Sequence, residues 1–142
     1  MLEVAERQWR MRPENSEIGR VNGEVEEWLA GADVPFSGIY LANLTVEELV
    51  TNCIKYGYAG MDTTDKGIDV AISIVGGELR IILSDDASPF DPLAQAVPDL
   101  SLPIEERPIG GLGIHMLRQM STGFAYKFAN GRNVVTITKQ LV

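Results

Sequence analysis

The strongest constraint on the fold is the run Ile68-Asp69-Val70-Ala71-Ile72-Ser73-Ile74-Val75, followed by Gly76-Gly77 and then Glu78-Leu79-Arg80-Ile81-Ile82-Leu83. The first half alternates apolar and polar residues, the period of a strand with one face buried. Two such runs separated by a diglycine read as an antiparallel hairpin. Phe124–Phe128 and Val134–Lys139, joined across Asn130-Gly131, read as a second hairpin with a favoured type I′ turn pair. Residues 2–11 read as a further strand. Hairpins rather than crossovers link the strands, so the sheet is mixed or mostly antiparallel and its helices lie on one face. The expected class is α+β, a two-layer α/β sandwich spanning residues 1–142 as one domain.

The helices follow from 3.6-residue periodicity. Pro13 to Ser16 opens the first, with acids near its start that suit the helix dipole. Ile18, Val21, Val25, Trp28 and Leu29 recur along it and Gly31 is placed to stop it. A second is expected from about Ser37 to Tyr56, ended by Gly57. At about 100° per residue, Ala42, Val46, Leu49, Val50 and Cys53 fall on one side, with Glu48, Asn52 and Lys55 opposite. A short third helix is expected over Ile114 to Met120. Between Asp91 and Pro108 the chain is irregular, with prolines at 92, 98, 103 and 108. A loop that long in a compact domain is usually functional.

Charge and composition narrow the function. Twelve basic and twenty acidic residues give −8, against a broad nucleic-acid footprint, which needs clustered Lys and Arg. An acidic chain can still hold a nucleotide, since backbone amides and Mg²⁺ offset phosphate charge locally. Cys53 is the sole cysteine, so neither an intrachain disulfide nor a thiolate metal cage is available; in an apolar stripe it reads as a core thiol. No apolar run approaches the roughly 20 residues that cross a bilayer. The first residues lack the basic-then-apolar order of a signal peptide, so a cytoplasmic location is expected.

Three polar features stand at joints of this order. Glu48 and Asn52, at i and i+4, put a proton acceptor and a hard oxygen ligand on one helix face, although a solvated face explains the same spacing. Asp85 ends a hydrophobic strand, where its carboxylate can accept from an adenine amino group or simply close an Asx turn, and Asp86 competes for the first role. Gly110-Gly111-Leu112-Gly113 opens a helix, where glycines let a ligand approach free N–H groups; a hinge is the alternative. No Gly-x-Gly-x-x-Gly follows a first strand and no Gly-Lys-Ser/Thr is present, against Rossmann and P-loop folds. His115, the only histidine, reads as a surface or packing residue at a helix start.

Taken in order, Glu48-Leu49-Val50-Thr51-Asn52 with Ile54-Lys55-Tyr56-Gly57-Tyr58, then Asp85-Asp86-Ala87-Ser88-Pro89-Phe90-Asp91-Pro92, then Gly110-Gly111-Leu112-Gly113-Ile114 resemble the GHKL ATPase domains of gyrase and the histidine kinases. The Pro-Phe-Asp-Pro variant is most similar to the anti-sigma factor serine-protein kinases. The resemblance implies the Bergerat ATP-binding fold, with ATP and Mg²⁺ as cofactors. It assigns Mg²⁺ to Asn52, a general-base role to Glu48 and the adenine amino group to Asp85. Lys55, Ala87, Gly110, Gly111, Leu112 and Gly113 fall in the nucleotide-binding motifs, and Leu93 to Ile109 would form the lid. It further implies phosphorylation of a STAS-type anti-sigma antagonist, binding of a sigma factor, a homodimer, and contact of Arg20 with the protein partner. There are departures. Ala87 and Pro89-Phe90 stand where the family has glycines, and the lid holds no lysine. Arg107 is therefore the lid's only cation for the γ-phosphate. These departures admit an alternative: a nucleotide-sensing interaction module with weak or no kinase activity.

Overall fold

The computed structural model describes residues 4–94, 101, 103 and 112–141. The described elements are strand β1 (Val4–Met11), helix α1 (Ser16–Gly31), helix α2 (Phe36–Asn52), strands β2 (Ile68–Val75) and β3 (Glu78–Asp85), helix α3 (Leu112–Met120), and strands β4 (Gly123–Ala129) and β5 (Arg132–Gln140). The strands form one sheet in the order β1-β2-β3-β5-β4, with every neighbouring pair antiparallel. Three helices lie against it, which gives the expected α+β architecture.

Both hairpins form where the turn chemistry places them. Gly76 and Gly77 have φ of 56° and 82°, and Asn130 and Gly131 have φ of 56° and 76°. Two successive positive φ values match the right-handed twist of the flanking strands, so the registers Val75↔Glu78 and Ala129↔Arg132 follow directly. Period-2 alternation then sends Ile68, Val70 and Ile72 of β2, Leu79, Ile81 and Leu83 of β3, and Val135 and Ile137 of β5 into the interior. There they meet Val21, Val25 and Leu29 of α1, Leu41, Val46 and Val50 of α2, and Ile114 and Leu117 of α3. Each such fully buried aliphatic side chain contributes about 1.5–3 kcal/mol relative to exposure. At the β1 edge, Trp28 of α1 meets Trp9 edge-to-face at 5.9 Å and Arg7 stacks over the Trp9 ring at 4.8 Å.

Two helix ends differ from the sequence expectation. Helix α1 includes Gly31, and the left-handed residue that ends it is Asp33, at φ 59°. The N–H groups of Asp33 and Val34 turn back onto the Ala30 and Leu29 carbonyls, so the reversal sits two residues beyond the glycine. Helix α2 stops at Asn52 rather than Tyr56, and Cys53–Gly57 form a π-helical turn closed by Tyr58 N–H to the Cys53 carbonyl at 2.9 Å. Gly57 shows why the chain leaves the α register here. Its Cα packs so closely on Ala87 that a β-carbon would lie 2.9 Å from the Ala87 methyl, and its carbonyl accepts Ser88 N–H at 3.1 Å. The turn thereby joins the end of α2 to the chain leaving β3, and a π turn of this kind often marks a functional site.

Candidate functional site

The middle strand β3 ends at Asp85, beside the C-terminal end of α2. Between them lies a small pocket, partly open to solvent. Its walls are Leu49, Leu83, Phe90, Pro92 and Val135, and its polar groups are Asn52, Cys53, Asp85 and Asn133. An apolar slot with a few convergent polar groups is the usual form of a small-molecule site.

Asp85 is 5% exposed. Its Oδ1 accepts from Ala87 N–H at 3.0 Å and from Asn133 Nδ2 at 2.9 Å. The Cys53 thiol is also hydrogen-bonded to the carboxylate, and among the described residues no N–H or O–H is seated on Oδ2. Asp86 has different work: its Oδ1 accepts from the Tyr58 hydroxyl at 2.7 Å and from Gly67 N–H at 3.2 Å. Burial alone would raise the Asp86 carboxyl, but those two bonds, its own backbone N–H and the Lys66 charge together hold it below the usual carboxylate range. Asp86 thus ties down a loop, while Asp85 is the acidic residue that lines the pocket.

Asn52 is buried and lines the same pocket, so it does not belong to a solvated helix face. Its side-chain amide is hydrogen-bonded to no described residue. Among the described residues no group of three or more His, Cys, Asp or Glu forms a metal cage. One neutral amide oxygen at the pocket fits Mg²⁺, which keeps most of its water and phosphate ligands and takes few from protein.

One turn before Asn52, Glu48 is half-buried. Removal from water raises its carboxyl above the usual range, and the neighbouring charge of Glu47 adds to the shift. Glu48 packs on the start of α3: a β-carbon at Gly113 would fall on the Glu48 carboxylate. Glycine at this position leaves the Glu48 carboxylate room against the α3 backbone, a steric fit that the sequence pattern does not show. Leu112, the first residue of α3, is exposed.

Other expected site residues are placed differently. Lys55 sits in the π turn, exposed, with Nζ 5.2 Å from the Tyr56 ring centre, and it does not line the pocket. Tyr56 stacks on Phe90 at 5.3 Å and 18° between planes, at the pocket wall. Ala87 is buried, and its amide rather than its side chain meets Asp85. Arg20 is exposed on α1, bonded to Glu17 at 2.9 Å and Glu24 at 3.3 Å. Arg107, Gly110 and Gly111 lie outside the described residues, as does most of the lid.

Three residues at or near the pocket were not read as site residues from the sequence. Cys53 lines the pocket as well as the core; burial pushes its thiol strongly up, with the Asp85 carboxylate beside it adding to the shift, so it stays a neutral thiol. Arg118 on α3 donates to the Leu93 carbonyl, at the first turn of the expected lid. Asn133 contacts Asp85 directly. Its signal was present in the alternation Asn133, Val135, Ile137, which puts a polar residue at an inward position of β5.

The family model described as the histidine kinase-like ATPase domain matches residues 11–139. A solved structure, the RsbU and RsbW domains of Rv1364c from Mycobacterium tuberculosis, superimposes with a TM-score of 0.68 at 20% identity. The match covers 96% of this chain and 32% of that one, so the chain spans about a third of its length. No curated protein matches the sequence. The strand order, the placement of Asp85 and Asn52 at one pocket with Glu48 one helical turn away against the start of α3, and a family match over residues 11–139 lead to one conclusion: the chain belongs to the histidine kinase-like ATPase domain family.

Proposed function

We propose that this chain is an anti-sigma regulatory factor that binds ATP with Mg²⁺ and transfers the γ-phosphoryl group to a serine of a STAS-type antagonist. The observation that carries the reading is that Asn52 and Asp85 line one pocket between the end of α2 and the end of β3, with Glu48, one turn earlier on α2, packed against Gly113 at the start of α3. In this reading Asp85 Oδ2 accepts the adenine amino group, with the ring between apolar walls that include Leu83 and Val135. The phosphates run toward Gly113 and the start of α3, where Mg²⁺ held by Asn52 would offset their charge. Glu48 takes the serine proton as the serine oxygen bonds to the γ-phosphorus and the bond to the β,γ-bridging oxygen breaks, releasing ADP. Its raised carboxyl makes it a stronger proton acceptor than an ordinary glutamate.

The Pro-Phe-Asp-Pro variant and the RsbW domain in the structural neighbour support the anti-sigma assignment. Arg20 would meet the protein partner by exchanging Glu17 and Glu24 for partner acids, and sigma factor would be held on another surface of a homodimer. The test is transfer of labelled γ-phosphate to a STAS-type partner. Wild type transfers; Glu48→Gln binds ATP and does not. Equal transfer by the variant removes Glu48 from the chemistry. The lysine-free lid favours a second reading, a nucleotide-sensing module, which predicts ATP binding with no transfer to any partner.

A further inference from the structure

Asn133 is 3% exposed and stands opposite Asp85 in the β3–β5 register. Each end of its amide is occupied by protein. Nδ2 donates to Asp85 Oδ1 at 2.9 Å and to the Ser88 carbonyl at 2.9 Å. Oδ1 accepts Phe90 N–H at 3.0 Å and the Tyr126 hydroxyl at 2.6 Å. The partners fix the amide's orientation, because reversing it would set an oxygen against a carboxylate and a carbonyl, and an NH₂ against a backbone N–H. With two donors and two acceptor sites used, Asn133 has nothing left for a ligand. Whatever it does at the pocket, it does through Asp85 and the segment from Ala87 to Phe90.

Its effect on Asp85 is specific. A carboxylate free to rotate could turn either oxygen to the pocket or to the backbone. Two bonds on Oδ1, from Asn133 and from Ala87 N–H, orient the carboxylate, with the Cys53 thiol its other hydrogen-bonding neighbour, and among the described residues no N–H or O–H occupies Oδ2. A carboxylate oxygen accepts only, so the complementary ligand group is an N–H donor at that point. We propose that Asn133 is a positioning residue that sets selectivity for a purine bearing an exocyclic amino group, by holding Asp85 with Oδ2 free for it. This rests on the nucleotide reading of the pocket given above. It also accounts for a segment without the family's glycines: Asn133 reaches Asp85 and the main chain of both Ser88 and Phe90, fixing by side chain what glycine boxes fix by close backbone approach.

The test compares ATP with purine riboside triphosphate, the same molecule with hydrogen in place of the 6-amino group, by calorimetric titration in Mg²⁺. Wild type should prefer ATP by roughly 10- to 150-fold, the range of a hydrogen bond to a charged group. Asn133→Ala should lower that preference to about 3-fold or less; loss of its bonds to Ser88 and Phe90 weakens both ligands alike, so the ratio between them is the readout. A merely structural role weakens both ligands together and keeps the ratio, which would overturn the proposal. Should Asn133→Ala fail to fold, Asn133→Asp keeps an acceptor for Phe90 N–H and Tyr126. It can donate to Asp85 only while the carboxyl pair shares a proton, so its ATP affinity relative to wild type at the same pH should fall as pH rises. A level profile at wild-type affinity overturns the assignment. Wild type that binds both ligands equally removes the amino-group contact and this inference with it; wild type that binds neither overturns the nucleotide reading itself.

Discussion

Gly113 offers a substitution whose effects on stability and chemistry should separate. It is the second residue of α3, and its φ is not among the positive values, so alanine fits the backbone. Exchanging glycine for alanine at a compatible position stabilises by about 0.4–1 kcal/mol, chiefly by restricting the unfolded chain. Against that, the new methyl falls on the Glu48 carboxylate. Because the obstacle is the end of a flexible side chain, Glu48 can swing aside at a rotamer cost of about 0.5–1.5 kcal/mol. The two effects nearly cancel, and Gly113→Ala should unfold in urea within about 1 kcal/mol of wild type. Phosphoryl transfer should respond quite differently, since a general base supplies about 10²- to 10⁴-fold and a displaced one supplies little. The assay is single-turnover transfer to a STAS-type partner at saturating ATP, for Gly113→Ala, Glu48→Gln and the double variant. If Gly113 acts through Glu48, the double variant is no slower than Glu48→Gln alone. Wild-type transfer by Gly113→Ala, or a further equal loss in the Glu48→Gln background, would refute the steric link.

Two other perturbations address the supports of the site. Gly57→Ala sets a methyl 2.9 Å from that of Ala87, and overpacking of this kind costs about 1–3 kcal/mol, so the urea midpoint should fall and ATP affinity with it. Glu17 has its carboxyl drawn down to about 2, first by its hydrogen bond from Arg20 and then by the Arg12 backbone N–H. A folded-state value below the unfolded one stabilises above the model-peptide value of 4.5, and that contribution is lost as pH falls toward 2. Thermal melts of Glu17→Gln should therefore match wild type near pH 2 and fall below it near neutral pH; a difference that grows on acidification contradicts the sign.

The sequence made the sheet legible because its turns carry their own instructions. Gly76-Gly77 and Asn130-Gly131 require positive φ, and the alternating residues beside them can face only one way. The pocket was partly legible. Asn52 and Asp85 end α2 and β3, and Glu48 lies one turn before Asn52, where helical spacing predicts its neighbours. The choice between Asp85 and Asp86 was not, because it turns on Tyr58 and Gly67 claiming Asp86 from another loop. Nor was the π turn, since nothing local in Cys53–Gly57 forbids an α-helix; the contact of Gly57 with Ala87 lies 30 residues away in sequence. Asn133 escaped for a related reason. Its partners Asp85, Phe90 and Tyr126 come together only when β5 pairs with β3 and β4. Lys55 was expected beside Asn52 by continuing the α-helical angle past a point where the helix changes its hydrogen bonding.

The most direct test of the nucleotide site is the affinity of ATP for wild type and for Asp85→Asn, by calorimetry with and without Mg²⁺. Asn keeps an acceptor for Ala87 N–H and Asn133, but sets an NH₂ toward the base in place of Oδ2. Wild type should bind ATP, more tightly with Mg²⁺ than without, and Asp85→Asn should lose roughly 10- to 150-fold, the range of a hydrogen bond to a charged group, while melting near the wild-type temperature. Equal ATP affinity for the two proteins, or no binding by either, would contradict the account.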